Sequence, residues 1–120
     1  MNLRPAPDVA DLRAAWWART ALLAARRALA AGQLREISLP APPALPRRAE
    51  RGVEALLRRR EHTCLEGALV RQRWLAAHGD CREIAIGVSA PSPTFVAHAW
   101  LEGDRSADAG RFHEVTRLGP

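Results

Sequence analysis

The chain contains no lysine and no tyrosine, only two cysteines and two phenylalanines, and a single methionine in 120 residues. Each scarcity removes a class of answer. Two cysteines do not make the disulfide framework of a small secreted domain. The opening Met1-Asn2-Leu3-Arg4-Pro5-Ala6-Pro7-Asp8 has no apolar core of the signal-peptide kind, so a cytoplasmic setting with reduced thiols is expected. No apolar run reaches the roughly 18 to 20 residues that cross a bilayer. The longest candidate, 14–31, is broken by Arg19, Arg26 and Arg27 and reads as a soluble amphipathic helix. The net charge of +5 rests on arginine alone. A basic chain can seek nucleic acid, but that role wants stacking aromatics beside a clustered basic face, and tyrosine is absent. Arg47-Arg48 and Arg58-Arg59-Arg60 read instead as a solvated helix face, or as a surface for an acidic partner or peptide.

Hydrophobic residues make up 48% of the chain, enough for a packed core. The length suits one domain over 1–120, with a helical part at 8–61 and a core at 62–120, and leaves no room for a separate recognition module. Such a module is expected on another protein.

Asp8 can cap a first helix running to about Ala31 and ending at Gly32, with Leu12, Trp16, Leu22, Leu23 and Leu29 as its apolar face. Trp16 and Trp17 diverge by about 100° on such a helix, so one of them is a candidate contact surface. Leu39 to Pro46 holds four prolines and is expected as an extended connector. Pro46 suits the first turn of a second helix, to about Glu61, with Val53, Leu56 and Leu57 in one stripe. His62-Thr63 offers a cap for a third, from Cys64 to about His78, with Leu65, Ala68, Leu69, Gln72 and Leu75 inward and Gly79 as the stop.

The period then changes from helical to alternating. Ile84, Ile86 and Val88 share one face of a strand, and Phe95 to Glu102 reads as a second, with Val96, His98, Trp100 and Glu102 on one side and Ala97, Ala99 and Leu101 on the other. Gly103-Asp104 supplies a turn, and a short strand through Ala107-Asp108 would close a hairpin. Phe112 to Leu118 fits a strand or a short helix. The expected class is α+β: N-terminal helices followed by a small antiparallel sheet in meander order.

Cysteine chemistry is the function this layout favours. A cysteine opening a helix sits among unpaired N–H groups at the positive end of the macrodipole, which raises the reactivity of a thiol there. Cys64 has that position. A thiol nucleophile needs a base, and the base needs a third group to fix its tautomer and stabilise the imidazolium. His98 supplies the base from a strand. If the hairpin turns at Gly103, position 108 lies opposite position 98, about 4.5 to 5.5 Å away at Cβ. Asp108 is therefore the expected orienter, and Asp104, near the turn tip, a turn-stabilising residue. Cys81 lacks such companions and reads as structural. His62, His78 and His113 read as capping or surface histidines. A zinc site from His62, Cys64, Cys81 and His98 lacks the paired spacings of ordinary structural sites, so no metal and no cofactor is expected. Trp74 and Trp100 are most simply core, although Trp100, on the same strand face as His98, could line a substrate groove.

The stretches Cys64-Leu65-Glu66-Gly67-Ala68-Leu69, Arg82 to Val88 and His98-Ala99-Trp100-Leu101-Glu102 resemble the transglutaminase-like cysteine peptidases of lasso-peptide biosynthesis, the B2 proteins. The likeness covers roughly residues 62 to 118, about half the chain. It implies a transglutaminase-like, papain-like core in which a Cys, His and Asp cleave the leader from a ribosomally made precursor peptide. It also implies a separate leader-binding protein and an ATP-dependent macrocyclase as partners. Carried over by position, Cys64 matches the nucleophile and His98 the base. Asp108 matches the aspartate through a hairpin shorter than the family's. Two other readings stand beside this one: an acyl transferase of the transglutaminase type, which passes the acyl group to an amine, and a non-catalytic scaffold that holds partners through the tryptophan helix and the arginines.

Overall fold

The computed structural model describes residues 6–89, 97–104 and 112–120. The described chain runs from three helices into a three-stranded sheet: α1 Val9–Ala30, a 3-10 turn Arg47–Ala49, α2 Glu50–Arg59, α3 Cys64–Ala77, β1 Ile84–Ser89, β2 Ala97–Leu101 and β3 Phe112–Leu118. The α+β class follows directly, and no described helix is long and apolar enough to cross a membrane.

Both caps expected at the starts of α1 and α3 are present as reciprocal capping boxes. The Asp8 carboxylate accepts from Asp11 N (2.9 Å) while the Asp11 carboxylate accepts from Asp8 N (2.9 Å). Thr63 and Glu66 repeat the arrangement at α3, at 3.1 and 2.8 Å. Each box satisfies two N–H groups that a helix start leaves orphaned. Gly32 and Gly79, just beyond α1 and α3, have φ of +74° and +81°, the left-handed conformation that ends a helix. Pro46 opens the 3-10 turn rather than α2 itself, so the second helix begins four residues later than expected, at Glu50.

The face of α1 departs from expectation. Ala14, Trp17, Ala18, Ala21, Leu22 and Ala25 are buried, whereas Leu12 and Trp16 are 60% and 68% exposed. Small residues win the inward side because α1 and α2 cross closely: a Cβ on Gly52 would lie 2.1 Å from the Asp11 carbonyl oxygen. A leucine or tryptophan stripe would hold the backbones too far apart for that contact. Asp11 is drawn inward with this face and met by Arg51, whose Nε and Nη2 lie 2.8 and 2.7 Å from Oδ2.

Proline leaves the 39–46 connector poor in N–H donors, so what it offers the helices is carbonyl oxygen. Trp17 Nε1 donates to Pro40 O (3.0 Å), Arg73 Nε to Leu39 O (3.4 Å), and the His78 ring sits between the carbonyls of Trp74 and Leu45, at 2.8 and 2.9 Å. Trp74 is fully buried between the Trp17 and His78 rings, at centroid distances of 5.9 and 4.4 Å, and is core as expected.

The sheet corrects the expected meander. Its order is β2-β1-β3, all antiparallel, with β1 in the centre. The physical reason lies in β1, where Ile84, Ala85 and Gly87 are all buried, so both faces are covered as in a central strand. Phe112–Leu118 resolves as a strand and pairs with β1, not with β2. The short strand expected through Ala107-Asp108 lies outside the described residues, as do Phe95 and Val96 at the start of the expected second strand.

Candidate active site

β2 alternates as its sequence demands: Ala99 and Leu101 are buried, while His98 and Trp100 are half-buried on the other face. Across the ladder these two rings stand opposite Gly87 and Ala85. Small residues on β1 leave space above that part of the sheet, and the His98 and Trp100 rings stack there at 5.8 Å with 19° between planes.

The start of α3 faces this strand. The Ala99 N–H donates to Cys64 Sγ at 3.3 Å, so the thiol at the first position of the helix is tied to the residue next to His98. Cys64 remains exposed. Sequence-separated by 34 positions, Cys64 and His98 thus line one cleft of about 700 Å³. Along α3 its wall continues through Gly67, Ala68 and Arg71, at the helical spacing that follows Cys64, and Trp100, Leu101 and Asp104 extend it on the strand side.

Two ionic groups brace the cleft. At the helix start, Glu66 closes the capping box with one oxygen and meets Arg26 Nε of α1 with the other (3.3 Å), and Arg26 also donates to the Glu61 carbonyl. At the far end, Arg71 donates to both oxygens of Asp104, at 2.7 and 3.4 Å, with Arg82 3.8 Å away. Arg82 in turn makes two bonds to Asp80, whose carboxyl is held below its ordinary range by that guanidinium first and by Arg47 in addition. Asp104 N also donates to Leu101 O (3.1 Å), and Gly103 has φ +90°. The turn bond is thus a backbone one, and the Asp104 carboxylate ties the turn to α3 through Arg71.

Asp108 lies outside the described residues. Cys81 does not join Cys64: it is exposed and borders a different cavity, between α3 and β3. Its location separates it from the other three residues of the conceivable zinc set. Among the described residues no group of three or more His, Cys, Asp or Glu is arranged to hold a metal ion.

His62, exposed beside the Thr63 cap, also lines the cleft, which its sequence position alone does not reveal. Its Nδ1 lies 2.8 Å from the Arg60 carbonyl, so that nitrogen donates to it. The ring packs over Gly67, where a Cβ would come 2.9 Å from Cδ2 and 3.0 Å from Nε2. The available signal was that glycine, otherwise a poor residue for a helix interior, one turn after Cys64.

A thiol at a helix start and an imidazole on the facing strand line one open cleft, and these are the two residue types that a nucleophile and base pair needs. The model of the transglutaminase-like superfamily matches residues 8–118. The chain belongs to that superfamily. The match extends through the helical half, beyond the residues 62 to 118 that carry the sequence resemblance. No curated protein and no solved structure matches the chain at a significant level. Membership carries cysteine-based chemistry of the protease or acyltransferase type.

Proposed function

We propose that this transglutaminase-like protein is a cysteine endopeptidase that removes the leader from a ribosomally made precursor peptide of the lasso class. The observation that supports the reading is the junction of α3 with β2, where the Ala99 N–H donates to the Cys64 sulfur and Cys64 and His98 line the same open cleft. Cys64 attacks the scissile carbonyl, His98 takes the thiol proton and returns it to the departing amine, and water then releases the acyl group. Asp108 orients His98 in this scheme. The Cys64 N–H belongs to the first turn of α3, where helix geometry leaves N–H groups without intrahelical acceptors, and serves as an oxyanion donor. The lasso assignment draws on the resemblance of residues 62 to 118. In that setting the partners are the precursor's leader, a leader-binding protein and an ATP-dependent macrocyclase, working in the cytoplasm.

The test is mass spectrometry of a precursor peptide encoded beside the gene, incubated with the protein and its encoded leader-binding neighbour. Cleavage at the leader boundary, lost in Cys64→Ala, supports the proposal. Incorporation of a labelled amine at the acyl carbon in preference to water would replace it with the acyl-transferase reading. Partner binding without turnover would leave a scaffold.

A further inference from the structure

The outward side of α1 carries a surface that the cleft does not account for. At 100° per residue, Val9, Leu12, Trp16 and Leu23 fall within about 60° of arc. The first three are 72%, 60% and 68% exposed, the most exposed large apolar side chains among the described residues. Arg13 and Arg19 flank this stripe and Arg27 stands at its far end, and none of the three meets a carboxylate among the described residues. The Arg19 guanidinium lies over the Trp16 ring, 5.4 Å from its centre. The only carboxylate on α1, Asp11, is on the opposite side and buried against Arg51. Beside the stripe, Arg13, Trp16, Trp17, Thr20 and Pro43 enclose a groove of about 350 Å³.

We propose that this face docks an acidic, amphipathic segment of a partner polypeptide, with an apolar side chain in the Trp16 groove and carboxylates on Arg13, Arg19 and Arg27. Charge selects the occupant. A stripe rimmed by three guanidiniums that meet no carboxylate among the described residues is complementary to apolar residues rimmed by Asp or Glu. A second copy of this chain would set like charges against one another across the contact. A nucleic acid would leave the apolar centre uncovered. No residue of the groove lines the Cys64 cleft, so docking and chemistry occupy separate surfaces. The proposal deepens the peptidase reading, and rests on it for the partner's role, which is to bring substrate to the cleft.

The probe is an acetylated amphipathic peptide with a Leu-Phe stripe flanked by glutamates, followed by fluorescence anisotropy against the full chain. Binding is expected to weaken about tenfold or more in Trp16→Ala and in the Arg13→Glu/Arg19→Glu double variant, as for a central aromatic or arginine anchor. Both changes are on the surface, and circular dichroism confirms that each variant is folded. Equal affinity in the wild type and both folded variants would overturn the proposal. So would equally tight binding of the same peptide with lysine in place of glutamate, equally tight binding of duplex DNA, or a wild-type dimer that Trp16→Ala dissolves. Binding is read without turnover. Failure of the wild type to cleave any precursor strikes the peptidase reading alone, and indifference of the probe to the variants strikes the docking face alone.

Discussion

Cys64 and Cys81 are both exposed, and what distinguishes them is their company: the Ala99 N–H and His98 around one, the rim of a separate cavity around the other. Cys64→Ala is expected to abolish peptide cleavage with little change in melting temperature, since the Thr63 to Glu66 capping box does not use the side chain at 64. Cys81→Ala is expected to cleave at the wild-type rate. Iodoacetamide labelling that tracks inactivation at Cys81 would reverse the assignment. The two aspartates separate in the same way. Asp104→Ala removes a partly exposed pairing with Arg71, so it should cost about 1 kcal/mol in stability and spare turnover. Asp108→Ala removes the proposed orienter and should remain folded while losing turnover, an effect that reaches about 10⁴ in a serine-protease triad. Near-wild-type turnover in both would leave a dyad of Cys64 and His98. Inactivation by Asp104→Ala alone would mean that the carboxylate serving His98 is the one bound to Arg71.

Helix boundaries are written in local chemistry, which is why Asp8, Thr63, Gly32 and Gly79 mark the ends of α1 and α3 from sequence alone. The facing of α1 is not local. Hydrophobicity favours Leu12 and Trp16, but α1 sets the Asp11 backbone against Gly52 of α2, and that constraint belongs to another segment of chain. Gly52→Ala tests the crossing. Helix propensity alone would make alanine better by about 1 kcal/mol, yet its Cβ would fall 2.1 Å from the Asp11 carbonyl oxygen. A net loss of about 3 kcal/mol is expected by chemical denaturation. An unchanged or raised midpoint would show that the helices separate freely. The same crossing carries an acid-sensitive pairing. Hydrogen bonds from Arg51, more than those from the Asp8 N–H, hold the Asp11 carboxyl down to about 2 against the opposing effect of burial. A carboxyl held below its unfolded value contributes stability that is full above that value, near 4, and is lost as pH falls through the folded value. Melting temperature should therefore fall between about pH 4 and pH 2. Asp11→Asn should melt lower at neutral pH and show a shallower acid limb, the remainder belonging to Asp8 and Asp80, whose carboxyls are also held low. Parallel acid limbs in the two proteins would exclude the Asp11–Arg51 pair as the cause.

At the scale of the whole molecule, the candidate site is a seam between α3 and the sheet, and its legibility follows from that. Cys64 and His98 could each be found from their own element, one by its cap and the other by its place in an alternating strand. His62 could not, because its place on the cleft depends on the room left by Gly67. Nor could the strand order, because whether β3 adds beside β2 or beside β1 is decided by which strand has two faces to bury. In the proposed scheme a leader-binding partner supplies selectivity, and the basic character of this chain, +5 with every cation an arginine, suits electrostatic capture of an acidic one. Cleavage of the precursor by the protein alone is therefore expected to be slow and only weakly salt-dependent. Addition of the leader-binding partner should accelerate it, and that acceleration should fade as salt rises from low ionic strength toward about 0.15 M, where the screening length shrinks to about 8 Å. Equal rates with and without the partner would place leader recognition on this chain alone. An acceleration indifferent to salt would mean that the partner is held by apolar contact without help from the arginines.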